Sequence, residues 1–155
     1  MALRKIVTIG DDMLYKKSRL VDKFNLRLWE LIDDMKETMY NANGVGLAAV
    51  QIGILKRVVV IDIGEGPVEL VNPVITGSSG SVIGQEGCLS VPGKWGEVAR
   101  PTEVTVKAQD RNGEYFEFTA KDYFARAVCH ELDHLEGELF VDKAEMITDA
   151  SENAE

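Results

Sequence analysis

A chain of 155 residues is long enough for one domain with a real core, and 45% hydrophobic with 28% charged residues is the balance of a globular protein. No apolar run approaches the ~20 residues of a membrane span, and the N-terminus lacks the apolar stretch and cleavage site of a signal peptide. Two cysteines make no disulfide framework and a net charge of -9 argues against a nucleic-acid-binding surface, so the expected setting is a reducing cytoplasm.

In chain order, residues 1–24 mix apolar side chains with charge and show no sustained period, which predicts an extended arm packed on the body. Asn25 reads as a helix N-cap, with Phe24 and Trp29 spaced as a hydrophobic staple. Leu28, Leu31, Ile32, Met35 and Met39 recur at helical spacing, and Asn43 and Gly44 form a stop signal. That apolar stripe predicts core packing rather than a partner-binding face. Gly44–Gly53 has two glycines close together and carries Gln51 near its end. It lacks the Gly-Lys-Ser/Thr ending of a phosphate loop and by itself predicts a turn into a strand.

Arg57–Ile63 is a β-branched run and predicts a strand; after a turn at Gly64–Pro67, Val68–Val71 predicts a second. Asn72 and Pro73 are expected to break it before a third, Val74–Thr76, and Gly77–Gly80 to turn the chain. Val104–Ala108 and Glu114–Thr119 read as a hairpin about Asp110–Gly113. Residues 147–155 are polar and acidic and are expected to fray. Strands in the middle, with one helix before and one after, predict an α+β fold: a single domain of largely antiparallel strands around a buried helix.

The second helix carries the chemistry. Thr119–Asp122 reads as a capping box and Gly137 as a C-terminal cap, and Tyr123–Leu135 between them is apolar on most of its circumference, which predicts burial. Within it, His130, Glu131 and His134 form the H-E-x-x-H pattern of metal-dependent hydrolases. Side chains four apart stack on one face, so two imidazoles can meet one metal ion while Glu131, one step round, reaches a water there. The chain has two histidines and both are in this motif.

A metal site with one open position needs a third protein ligand. Cys88, on a stretch constrained by Gly87 and Pro92, offers a soft donor. Cys129 competes, but as the neighbour of His130 it is rotated by ~100° and faces the core. Cys88 is therefore the expected ligand and Cys129 a packing residue. A Cys88 thiolate with two neutral imidazoles leaves a fourth position for water, whose proton Glu131 can accept.

Three segments, Gly44–Gln51, Glu86–Ser90 and His130–His134, resemble, in order, the three signature motifs of the peptide deformylases, and the likeness extends from the arm through Phe140. The resemblance implies a catalytic domain over residues 1–146 that removes the formyl group from the N-terminal formyl-methionine of nascent peptides, in the cytoplasm and in transient proximity to the ribosome. It implies a divalent metal, iron(II) first and zinc, nickel or cobalt as alternatives, on Cys88, His130 and His134. Glu131 is then the proton carrier, and the Gln51 amide and the Leu89 backbone N–H donate to the developing oxyanion. Val45, Gly46 and Gly87 would pair with the peptide backbone, and Tyr123, Ala127 and His130 would surround the methionine side chain. Glu86, Asp133 and Arg100 are expected to form a buried ion network that orients the ligands. Two other readings use the same residues: a metal-dependent peptidase or amidase with a ligand downstream at Glu138, and a non-enzymatic module with a closed metal site that uses both cysteines.

Overall fold

The computed structural model describes residues 2–149. Among them, eight strands and three α-helices make an α+β domain in which two antiparallel sheets flank one central helix. The arm is extended apart from a turn at Ile9–Gly10 and a 3₁₀ turn at Asp12–Tyr15, and its Val7 and Ile9 N–H groups donate to the carbonyls of Gln51 and Ser90. Helix α1 (Leu26–Asn41) starts where the Asn25 side chain accepts from the Leu28 N–H. It stops at Asn43, which takes a φ of 57° while the Gly44 N–H returns to the Met39 carbonyl. This left-handed ending satisfies the last carbonyls of a helix, and asparagine tolerates it better than most residues.

Strands β1 (Gly46–Ala48), β2 (Val58–Ile61), β3 (Val68–Ser79), β6 (Glu103–Gln109) and β7 (Tyr115–Lys121) form the larger sheet in the order β1-β2-β3-β6-β7. All four residues of β2 are fully buried because helices cover both faces. Val58 and Val60 pack with α1, and Val59 and Ile61 pack toward α2 (Tyr123–Leu135). An uninterrupted β-branched run is the sequence signature of such a strand. Strands β4 (Val82–Cys88), β5 (Val91–Arg100) and β8 (Met146–Asp149) form the smaller sheet, with the short helix α3 (Phe140–Lys143) packed against it.

Four expectations are corrected. Strand β3 runs through Asn72 and Pro73 instead of breaking: the ladder shifts there, and the Asn72 side chain exchanges hydrogen bonds with the backbone of Val21 in the arm. A bulge lets proline sit in a strand without a missing ladder bond. Gly77–Ser79 belong to the same strand, so the expected turn shrinks to the residues that follow. Thr119 does not cap α2; it lies in β7, and Asp122, at a φ of 54° and without a side-chain cap bond, turns the chain directly from strand to helix. Ile147–Asp149 do not fray but pair with β5, and residues 150–155 of the expected tail lie outside the described residues.

Candidate metal centre

Sulfur and nitrogen reach the site from different elements. Cys88 ends β4 just past a shift in its register with β5, where it pairs with Val91. His130 and His134 stand one turn apart on α2, both buried, with ring centroids 5.1 Å apart. The Cys88 Sγ lies 3.3 Å from His134 Nε2, and the donor atoms of Cys88, His130 and His134 all lie within 4.8 Å of one another. Helix α2 ends in a left-handed turn at Gly137, whose missing side chain also leaves room for the backbone of Tyr15.

Glu86 fixes the first histidine. Its Oε1 meets His130 Nδ1 at 2.9 Å, which leaves Nε2 as the nitrogen free to face Cys88. Arg100 clasps both Glu86 oxygens from Nε and Nη2 at 2.7 and 2.9 Å and donates from Nη1 to Asp133 at 2.7 Å. Burial alone would raise the Glu86 pKa, but the Arg100 fork and the His130 ring outweigh it and hold it at about 2. The expected ion network is therefore present, and Arg126, which sequence reasoning missed, adds a further bond to Glu86 Oε2 at 2.8 Å.

Glu131 is buried beside the donors, its Oε2 4.0 Å from His130 Nε2 and its Oε1 without a hydrogen-bond partner among the described residues. Burial is the main cause that lifts its pKa to about 7. Its carboxylate lies against the backbone of Gly46, where a Cβ would collide with it. Burial works against charge on His130, yet the Cys88 sulfur, the Glu131 charge and the Glu86 carboxylate hold its pKa well above the ordinary value. Burial and the neighbouring charge of His130 push His134 well below it. The surroundings thus favour positive charge on His130 and disfavour it on His134. A soft sulfur, two borderline nitrogens and a buried carboxylate oxygen left unpaired fit a divalent metal with an open coordination position.

The Gln51 amide is oriented by its own bonds. Its Oε1 accepts from the Ala48 N–H at 2.9 Å, so Nε2 faces the Ser90 hydroxyl at 3.0 Å and the Cys88 sulfur at 3.5 Å. A cleft of ≈ 430 Å³ opens over this constellation, between the edges of β1 and β4 and the first turns of α2. Val45, Gly46, Gln51, Gly87, Leu89, Tyr123 and Ala127 line it with Cys88, His130 and Glu131, so every expected site residue but the fully buried His134 reaches its wall. Trp95 also lines it, its ring packed where a Gly87 side chain would stand. Nothing in the sequence around Trp95 signals that role; for Arg126, a lone cation one turn before His130 on an apolar helix is the signal available.

The rival ligands lie elsewhere. Glu138 is half-exposed and its carboxylate sits 3.5 Å from the Lys143 ammonium. Cys129 faces a different cleft behind α2, with Leu132 and Pro101, and burial pushes its thiol up. Neither belongs to the metal-competent group among the described residues.

The polypeptide deformylase family model matches residues 3–150. Peptide deformylase of Caldicellulosiruptor bescii is 64% identical over 143 residues, which are 92% of this chain and 86% of that protein. Peptide deformylase 1 of Clostridium acetobutylicum is 62% identical over 92% of this chain and 95% of its own length. The crystal structure of peptide deformylase from Thermotoga maritima superposes with a TM-score of 0.91 at 41% identity, covering 93% of this chain and 99% of that one. With this likeness over nearly its whole length, the chain belongs to the polypeptide deformylase family, metal-dependent enzymes that remove the formyl group from the N-terminal formyl-methionine of newly made polypeptides.

Proposed function

We propose that Cys88, His130 and His134 hold the metal, iron(II) in this chain, and that Glu131 carries the proton of the deformylation reaction. The observation that carries the reading is the convergence of one sulfur and two imidazole donors within 4.8 Å, beside a buried carboxylate oxygen with no partner among the described residues. A thiolate with two imidazoles suits iron(II), and would also accept zinc, nickel or cobalt. When bound, the metal supplies Lewis acidity, which lowers the pKa of a water and polarises a carbonyl oxygen.

The remaining work falls to the protein. Glu131 takes a proton from the attacking water as the water oxygen bonds to the formyl carbon. The Gln51 Nε2–H and the Leu89 backbone N–H donate to the negative charge that develops on the former carbonyl oxygen. Glu131 then gives its proton to the peptide nitrogen as the C–N bond breaks; the second water proton passes to the amine or to solvent, so formate and an amine are released. Burial pushes this carboxyl up toward neutrality in the metal-free protein, and a pKa near the working pH suits a group that must accept and then donate. The peptide lies extended between the β1 and β4 edges, its backbone paired with Val45, Gly46 and Gly87, and its methionine side chain against Tyr123, Ala127 and His130. The described chain works as one catalytic domain.

A nascent-chain substrate places the work in the cytoplasm, in transient proximity to the ribosome. No helix among the described residues is long and apolar enough to cross a membrane. The test is formate release from a formyl-methionyl peptide by protein purified under nitrogen, with bound metal quantified. Turnover should rise in step with metal content, and metal-replete protein that releases no formate would overturn the reading. The iron form should lose activity in air while a nickel form persists; equal decay would reject iron oxidation as the cause.

A further inference from the structure

Arg126, His130 and His134 succeed one another at four-residue intervals and share one face of α2. Arg126 is 8% exposed, and its hydrogen bonds cross to the β4–β5 hairpin. Nη1 donates to Glu86 Oε2 at 2.8 Å and to the Val98 carbonyl at 2.9 Å, with a longer contact of 3.4 Å to the Gly84 carbonyl. Nη2 donates to the Val82 carbonyl at 2.9 Å. The guanidinium passes directly over Gly84: a Cβ there would lie 2.9 Å from both Cζ and Nη2. Gly84 does not take a positive φ, so its backbone does not demand glycine. What the missing side chain leaves room for is Arg126.

Arg100 already gives Glu86 a two-pronged partner, so the charge of Glu86 is answered without a second arginine. What Arg126 adds is attachment. The sulfur donor rides on β4, the two nitrogen donors ride on α2, and the guanidinium fastens the helix to backbone carbonyls of both hairpin strands. The same Nη1 that holds Val98 also holds the Glu86 oxygen opposite the one that meets His130.

We propose that Arg126, threaded past Gly84, is a positioning residue for the metal: it sets the separation and ring orientation that join the Cys88 strand to the histidine helix, and so slows release of the ion. This rests on the ligand assignment under Proposed function. A planar fork spans a carboxylate and several carbonyls at once, which a lysine ammonium on its flexible stem does not. Partners behind a ligand of this kind are worth about 10–100-fold in metal affinity.

The test uses full-length protein loaded with cobalt(II) under nitrogen: wild type, Arg126→Met, Arg126→Lys, Gly84→Ala, the Gly84→Ala/Arg126→Met double variant, and Cys88→Ser. Cobalt loss to excess chelator, the thiolate-to-cobalt charge-transfer absorption and the thermal midpoint are followed together. Arg126→Met and Gly84→Ala should each lose cobalt roughly 10–100-fold faster than wild type and shift the absorption. Arg126→Lys should stay with Arg126→Met. The double variant should be no faster than Arg126→Met, because both changes break one contact. Should Arg126→Met fail to fold, Gly84→Ala carries the same expectation with the guanidinium present but displaced. Cobalt loss within twofold of wild type despite a lowered midpoint would reduce Arg126 to a stability residue and overturn the proposal. Full recovery by lysine would overturn it in favour of charge alone, and additive single effects would overturn the threading. Cys88→Ser that holds cobalt like wild type would overturn the ligand assignment and the proposal with it; Cys88→Ser that loses cobalt while Arg126→Met keeps it would overturn the proposal alone.

Discussion

Glu131 is the residue with most to lose from a small change. Glutamine keeps its shape but cannot accept a proton, so Glu131→Gln should retain metal and lose about 10²–10⁴-fold in turnover. Near-normal formate release by the metal-replete variant would remove Glu131 from the proposed mechanism. The two cysteines give a paired prediction. Cys88→Ser should weaken metal retention, because a hydroxyl is a far poorer donor than a thiolate. Cys129→Ser should keep the metal and alter packing, since that thiol opens on a cleft behind the helix. Metal analysis of both after dialysis against chelator decides, and an exchange of the two phenotypes would reverse the assignment. At this scale the site was legible where chemistry and spacing coincide: two histidines four apart, and a cysteine separated from its rival by helix phase. It was not legible at Trp95, whose partners lie across the fold, and at Arg126 the helical spacing to His130 marks the face but not the strand partners that give it a role.

Elements were legible in proportion to how far their composition answered to one demand. The β2 run meets a sheet buried on both faces, and nothing in it argues otherwise. The β4–β5 hairpin drew no strand reading because its glycines break up any β-branched or alternating run. Gly84, Gly87 and Gly96 instead admit Arg126, Trp95 and, for Gly96, Phe140 with Ala144, so each marks a close approach within a strand. This hairpin also contributes to the acid sensitivity of the fold. The Glu86 carboxyl is held at about 2, against 4.5 ordinarily, so the unfolded chain takes up its proton first as pH falls. Its contribution is therefore fully present above about pH 4.5 and is lost on the way down to about pH 2, on the order of 3 kcal/mol in all. In metal-free protein, Glu86→Gln should flatten the fall of urea stability across that window. An unchanged slope would mean that other carboxylates set it.

For the whole molecule, the metal is expected to act as a cross-link between a strand of one sheet and the helix packed on the other. A ligand that binds the folded state stabilises it by about 4 kcal/mol when free at 1,000 times its dissociation constant, so chelation should lower the urea midpoint. Met39→Ala tests the separation of the two cores. Met39 is fully buried with α1 on the far side of β2, and the change should cost about 2–5 kcal/mol. Metal content and turnover per folded molecule should stay at wild-type values; a parallel loss of metal would mean that the two layers are coupled. The cleft between the edges of β1 and β4 has a consequence of its own. An edge left open to receive a peptide is equally open to a neighbouring copy of the chain, and unpaired sheet edges are where proteins aggregate. Here the β1 side is three residues long, and the β4 side has two of its carbonyls, at Val82 and Gly84, engaged by Arg126. At this cleft the two open edges are thus short or already engaged, so edges that would stay unpaired to receive a peptide offer a neighbouring copy of the chain little length to pair with.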